Sequence, residues 1–225
     1  MGEIMKKQLN LIQELHKSTK RNYLHRMNDN KVEAMEIARK FQYEYWDGDR
    51  RYGFGGYRYI PDRWKHMAKN LIDIYSLTNT SKILDVGCGK SFLLYELQRL
   101  LPEIEICGID ISKYALENAH PEFKGKLLEV DARLPLPFND KFFDLTISIN
   151  TIHNFNLPDV VNVLSEMQRV GKQQYLVVEA YRNLTEFFNL QCWALTAPTL
   201  IMSEEWIWLF SLAEYFGDYE FIFFE

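Results

Sequence analysis

The chain has 225 residues, 47% hydrophobic and 15% aromatic, enough for one large buried core and incompatible with general disorder. Its 26 Lys and Arg against 31 Asp and Glu leave a net charge of -5, the wrong balance for holding nucleic acid by neutralising phosphates. Cys88, Cys107 and Cys192 are odd in number and form no C-x-x-C pair, which argues against a disulfide framework or a zinc site and fits a reducing cytoplasm.

The start, MGEIMKKQLN, lacks the apolar centre of a signal peptide, and Lys6 stands where a myristoylation signal wants Ser or Thr. No apolar run approaches the ~18 residues of a membrane span. A soluble, cytoplasmic protein is expected, with no membrane or nucleic-acid partner. Residues 1–45 read as helix, broken near Asn28-Asp29-Asn30, with Leu11, Leu15, Leu24, Met27, Val32, Met35 and Phe41 in patchy helical spacing. This stretch carries nine Lys/Arg against six Asp/Glu, a mildly basic cap on an otherwise acidic chain.

Tyr43 to Trp64, YEYWDGDRRYGFGGYRYIPDRW, holds eight aromatics, four glycines and four arginines without helical or strand period. Glycines permit tight turns and aromatics supply flat packing surfaces, so the segment reads as a lid or as a strap over the core. Pro61 is then expected to open a helix with Trp64, Met67, Ala68, Leu71 and Tyr75 on one face. The chain divides into a cap and lid over 1–60 and a main domain over 61–225.

From residue 82, short apolar strands alternate with helices. Strands are expected at 82–86, 105–110, 126–130, 142–149, 174–179 and 219–224. Helices are expected at 91–101, from the cap Ser112 to 119, from near Pro158 to Gly171, and after Ser203 as a cap. The alternation implies an α/β fold, a doubly wound and mainly parallel sheet flanked by helices.

The stretch Ile83-Leu84-Asp85-Val86-Gly87-Cys88-Gly89-Lys90-Ser91 ends a strand in an acid and turns through two glycines into a helix. Ligands of doubly wound sheets bind at such strand ends. A dinucleotide fingerprint would need glycine where Phe92 stands. Asp85 places a carboxylate that suits an amine and repels a diphosphate. Asp110 closes the next strand, where a carboxylate can hold both hydroxyls of a ribose. Asp131 closes the third, within reach of an exocyclic adenine amine.

With these motifs the chain resembles the class I S-adenosylmethionine-dependent methyltransferases. ILDVGCGKSF is similar to the family's first motif, GIDIS to its second, and VDARLPLPFNDKFFDLTIS to its third and fourth, over about residues 60–180. The resemblance implies a Rossmann-like fold and S-adenosylmethionine as cofactor, released as S-adenosylhomocysteine. It implies a site of Asp85, Gly87, Cys88, Gly89, Asp110, Ile111, Asp131, Ala132 and Asn150. Ser91 departs from the pattern, since many members have a third glycine there, and the tail departs in offering one strand where a hairpin is usual.

Methyl transfer to a hydroxyl benefits from alignment and from a positioned base. His153, in Asn150-Thr151-Ile152-His153-Asn154-Phe155 after the fourth strand, is the candidate base; its other reading is a structural histidine at the junction. Asn150 and Glu179-Ala180-Tyr181 replace the acids that a magnesium-dependent catechol-type enzyme carries, so no metal is expected. Arg50, Arg51, Arg58 and Arg63, with Arg182 after the fifth strand, can converge on an anion or pair with surface acids. The candidate substrate-binding set is Tyr52, Arg58, Tyr181 and Arg182.

These residues point to O-methylation of a small sugar-like or phosphorylated acceptor. The aromatic segment together with GDYEFIFFE at the end resembles a bacterial subgroup associated with capsule and surface-polysaccharide biosynthesis. Alternatives are a cofactor-binding partner subunit without turnover, and methylation of a small amine; homo-oligomerisation stays open.

Overall fold

A computed structural model describes residues 7–225, apart from the Glu14 side chain. The MGEIMK start, read above as neither signal peptide nor myristoylation site, lies outside the described residues. Six parallel strands form one sheet in the order β3-β2-β1-β4-β5-β6. They are β1 (Lys82–Val86), β2 (Glu105–Asp110), β3 (Lys126–Glu129), β4 (Phe143–Ile149), β5 (Gly171–Glu179) and β6 (Asp218–Ile222). The order reverses between β1 and β4, so the carboxyl ends of those strands open a crevice between divergent crossovers.

The central strands are apolar on both faces, because helices cover both. On one face Leu84, Val86 and Leu176 pack with Val163, Leu164 and Met167; on the other Ile83, Leu145, Tyr175 and Val177 pack with Met67, Leu71 and Leu94. No helix among the described residues is long and apolar enough to cross a membrane.

Residues 7–45 are less helical than the spacing of their apolar residues predicts. Residues 7–9 run extended, and Leu9 donates to Tyr219 O while Tyr219 donates to Lys7 O, covering the free edge of β6. Short helices follow: α1 (Gln13–Lys17), α2 (Tyr23–Asn28) and α3 (Lys31–Ala38), with the expected break between the last two. The aromatic segment hides one helical turn, α4 (Tyr43–Trp46), before looping back to α5 (Lys65–Tyr75). Pro61 does not open that helix; residues 61–64 form turns and the helix starts four residues later.

The remaining helices are α6 (Phe92–Leu100), α7 (Lys113–Glu117), α8 (Leu157–Val170), α9 (Leu184–Trp193) and α10 (Ser203–Leu212). Ser112 caps α7 as expected, accepting from Ala115 N at 3.1 Å. Ser203 does not cap α10: Met202 is the cap residue, and Glu205 reaches back to accept from Met202 N at 2.7 Å. The sequence reading missed α9, whose apolar residues Leu184, Phe187, Phe188, Leu190 and Trp193 follow no single stripe. The last strand pairs with β5 in parallel, and no hairpin follows it among the described residues.

Candidate active site

The carboxyl ends of β1, β2, β4 and β5 open into a cavity of about 730 Å³, roofed by the α2–α4 region and the aromatic segment. Asp85, Asp110 and Asp131 line it at or just beyond the ends of β1, β2 and β3, the acidic end, and Arg21, Arg26 and Arg50 line it around Trp193, the arginine end.

At the acidic end the chain turns sharply after β1. Gly87 has φ +82° and Gly89 φ +53°, and a Cβ on Gly87 would fall 2.1 Å from Thr151 Oγ1. A side chain there has neither the backbone freedom nor the space. Gly89 approaches Trp46, whose indole nitrogen donates to Ser112 Oγ at 2.9 Å. Ser91 is left-handed at φ 59°, a backbone region in which glycine is unstrained and serine is not.

Asp110 anchors the turn. Gly89 N donates to its Oδ2 at 2.8 Å and Ser112 N to its Oδ1 at 2.7 Å, leaving further lone pairs toward the cavity. Burial pushes its carboxyl up, against those backbone donors. Asp85 is the sharper case. It is buried, its Oδ1 has no hydrogen-bond partner within the chain, and burial together with Asp110 pushes its carboxyl up to about 8. A buried carboxylate without a donor is costly unless a cation meets it.

Ile111, half exposed, and Ala132 provide apolar walls at this end, and Cys88 turns its thiol toward Gly108. Burial raises the Cys88 thiol far above its usual range, so it is a packing group. Asp131 lines the cavity with its carboxylate already engaged. Arg133 grips its carboxylate as a fork, with Nε at 2.9 Å from Oδ1 and Nη2 at 2.6 Å from Oδ2, and holds it below its ordinary value. An adenine amine would share those oxygens with Arg133. Asn150 follows β4 in the left-handed region at φ 57° and lines the cavity.

A family model for the methyltransferase domain matches residues 77–214, more than half of the chain. The chain belongs to that methyltransferase family, and its cofactor is S-adenosylmethionine. The demethylmenaquinone methyltransferase of Thermotoga maritima is 30% identical over 145 residues, 64% of this chain and 59% of that protein. A malonyl-[acyl-carrier protein] O-methyltransferase of Acetivibrio thermocellus is 38% identical over 127 residues, 54% of this chain and 44% of that protein. The chain thus spans about half the length of these two relatives. The YcgJ protein of Bacillus subtilis superposes with a TM-score of 0.55 at 24% identity, covering 66% of this chain and 67% of that one, and shares the fold.

The residues at the acidic end fit S-adenosylmethionine. Asp85, with its unpartnered buried oxygen, would meet the methionine ammonium; Asp110 would meet the ribose hydroxyls; Ile111 and Ala132 would flank the adenine. Bound there, the cofactor supplies a methyl group already activated by its sulfonium.

His153, the sequence-based candidate for the base, sits at 4% exposure on a helical turn after β4. Its Nδ1 accepts from Glu179 N at 3.2 Å, and its Nε2 lies 3.6 Å from Glu179 Oε2. With Nδ1 occupied, a neutral ring carries its proton on Nε2, facing the carboxylate. Burial lowers its pKa against the pull of Glu179, which keeps it neutral. The ring therefore has no lone pair to offer an acceptor, while the Glu179 carboxylate beside it also lines the cavity. Sequence reasoning used Glu179 only to argue against a metal.

The proposed substrate residues scatter. Arg58 lines the cavity, whereas Tyr52, Tyr181 and Arg182 do not. Tyr52 packs near Ala34, Ala38 and Leu195, and Tyr181 lies against Phe187 at 4.6 Å between centroids. Arg182 is spent on Glu186 and on Glu225 at 2.9 Å, with its guanidinium 4.0 Å from the centre of the Phe223 ring. Arg51 pairs with Asp29 at 3.1 Å. Local sequence places Arg182 just beyond a strand end; only the fold shows that its guanidinium is taken up by Glu186 and Glu225.

Proposed function

We propose that the chain is an O-methyltransferase acting on a hydroxyl of a small acceptor, with Glu179 receiving the hydroxyl proton. The observation that supports it most is the placement of Glu179 on the cavity wall, steadied by the neutral His153 ring and by its own backbone. Trp206 Nε1 donates to Glu179 O at 3.0 Å, so the end of β5 is held from both sides. In this reading the Asp85–Asp110 end orients the methyl donor, the strap over Tyr43–Trp64 excludes water, and Glu179 takes the proton as the bond to oxygen forms. Residues 1–60 then act as cap and lid, and 61–225 as the transfer domain.

The Acetivibrio relative is named as an O-methyltransferase, which agrees with transfer to oxygen. The polysaccharide setting rests on the resemblance of the aromatic segment and the tail, and the cavity residues add nothing to it. Glu179 would also suit an amine, so methylation of nitrogen is the second reading.

The deciding experiment is release of S-adenosylhomocysteine with matched acceptors: sugars, sugar phosphates, hydroxy acids and their amino counterparts. Turnover confined to the hydroxyl members supports the proposal. Turnover confined to amines overturns it, and cofactor binding without turnover on any acceptor returns the partner-subunit alternative.

A further inference from the structure

We infer that Arg21, Arg26 and Arg50 form an anion subsite around Trp193, built to take a phosphate or carboxylate carried by the methyl acceptor. The guanidinium carbons lie 5.3, 4.5 and 5.1 Å from the centre of the indole ring, and all three side chains line the cavity that Asp85 also lines. The proposal rests on the O-methyltransferase reading only in assigning the anion to the acceptor; the subsite itself does not.

Among the described residues no carboxylate lies within 4.0 Å of any of these three guanidinium groups, although the chain as a whole is acidic. Their hydrogen bonds go to neutral groups. Arg21 Nη1 donates to the carbonyls of His16 at 3.1 Å and Thr19 at 3.0 Å, and its Nη2 meets His16 Nδ1 at 3.0 Å. Arg26 Nε donates to Trp193 O and its Nη1 to Arg50 O, both at 3.0 Å, while Arg50 Nη1 donates to Gly53 O. These bonds fix the forks and, among the described residues, leave Arg21 Nε buried and unpartnered, while the bonds of Arg26 and Arg50 run through Nε and Nη1 and not through Nη2.

Such an arrangement concentrates positive charge that the fold does not neutralise. Burial followed by Arg50 lowers the Arg26 guanidinium to about 10, and burial with Arg21 lowers His16 to about 4, so His16 adds no compensating or competing charge. Glu179 is the carboxylate that both Arg21 and Arg26 feel, but at longer range than an ion pair. Lys31 adds a fourth cation nearby, spent on the carbonyls of Cys192 at 2.8 Å and of Ala194 at the end of α9. Planar forks stacked on an aromatic ring keep their edges for oxyanions, and phosphate and carboxylate both fit. Glu179 lines the same cavity and is felt by Arg21 and Arg26, so an acceptor whose anion is anchored at the arginines can bring a hydroxyl toward it.

The test is calorimetric titration of the full chain, saturated with S-adenosylhomocysteine, with glycerol 3-phosphate, glycerate, inorganic phosphate and neutral glycerol. Binding of an anionic probe at least tenfold tighter than glycerol is expected, weakening with added salt. Arg26→Gln and Arg50→Gln should each lose tenfold or more for that probe while the S-adenosylhomocysteine affinity stays within twofold. Preference for glycerol 3-phosphate and phosphate, or for glycerate, assigns the anion. Equal binding of all four probes, or none, or unchanged affinity in Arg50→Gln, the more exposed of the two sites, overturns the subsite. Because inorganic phosphate carries no methyl acceptor, this result is separate from any failure of turnover.

Discussion

Lys90 Nζ lies 2.7 and 2.6 Å from the two carboxylate oxygens of Asp47, 43 residues earlier in the chain. The ammonium also donates to Tyr57 O at 2.9 Å, and Tyr114 donates to Asp47 Oδ2 at 2.7 Å. Lys90 belongs to the glycine turn after β1 and Asp47 to the aromatic strap, so one buried ion pair ties the roof of the cavity to its floor. Burial raises the Asp47 carboxyl, but Lys90 and Tyr114 outweigh it and hold the group below its ordinary value.

Removing one partner should therefore loosen the strap. Lys90→Met leaves Asp47 without its cation and should cost about 2–3 kcal/mol, below the figure for a fully buried pair because Asp47 keeps some water. Lys90→Met with Asp47→Leu should be more stable than Lys90→Met alone. Thermal unfolding and hydrogen exchange over residues 43–64 read both effects; a Lys90→Met midpoint equal to that of the parent would contradict the tie.

Asp85 makes cofactor binding depend on pH. Its folded-state pKa is pushed up to about 8 from an ordinary 3.8, so the chain without cofactor holds a proton there that an unfolded chain releases. That contribution to stability is complete below 3.8 and is lost as pH rises through about 8. An ammonium arriving at Asp85 displaces the proton, and affinity for S-adenosylmethionine should rise between pH 6 and pH 8, by up to about tenfold per unit. Calorimetry in two buffers of different ionisation enthalpy should show a proton released on binding; no release would remove Asp85 from the ammonium site.

The same burial predicts a trade between stability and function. Asp85→Asn should melt higher than the parent at pH 8, with the gap narrowing toward pH 5, and should bind the cofactor at least tenfold more weakly. A melting point that falls at pH 8 would mean that Asp85 has a donor inside the fold.

Glu179 and His153 should separate by their kinetics. Glu179→Gln should lower kcat by about 100-fold or more with KM little changed. His153→Asn should cost less, about tenfold in kcat, since His153 acts through the carboxylate. An unchanged kcat in Glu179→Gln would remove it as the proton acceptor, and an unchanged kcat in His153→Asn would leave His153 a purely structural role.

Ser91 holds a left-handed φ of 59° while almost wholly buried. Ser91→Gly should gain about 0.5 kcal/mol, strain relief of roughly 1 kcal/mol being partly offset by glycine's greater chain entropy. Ser91→Val should unfold at lower temperature than either, because a branched side chain tolerates this backbone region worst. Three melting curves decide the order.

Much of this was written in the chain itself. Strands with apolar runs between helices fixed a parallel doubly wound sheet, since only helices on both faces can cover such strands. Asp85, the paired glycines and Asp110 announced the cofactor end because all of them fall within one strand–turn–helix unit and the strand end beside it. The extended stretch at residues 7–9 beside β6 and helix α9 were not legible in the same way: an edge-covering extended segment and a helix apolar on several sides carry no clean period.

Local sequence thus determined the turn after β1, where the bonds from Gly89 N and Ser112 N to Asp110 join residues one crossover apart or less. Tertiary structure alone decided the arginine end. Arg21, Arg26 and Arg50 meet at Trp193 across more than 140 residues of chain, and His153 gives up its lone pair to Glu179 N only because β4 and β5 lie side by side. Charge and hydrogen-bond direction at that end are set by which side chains face one another, and no periodicity along the sequence encodes that facing.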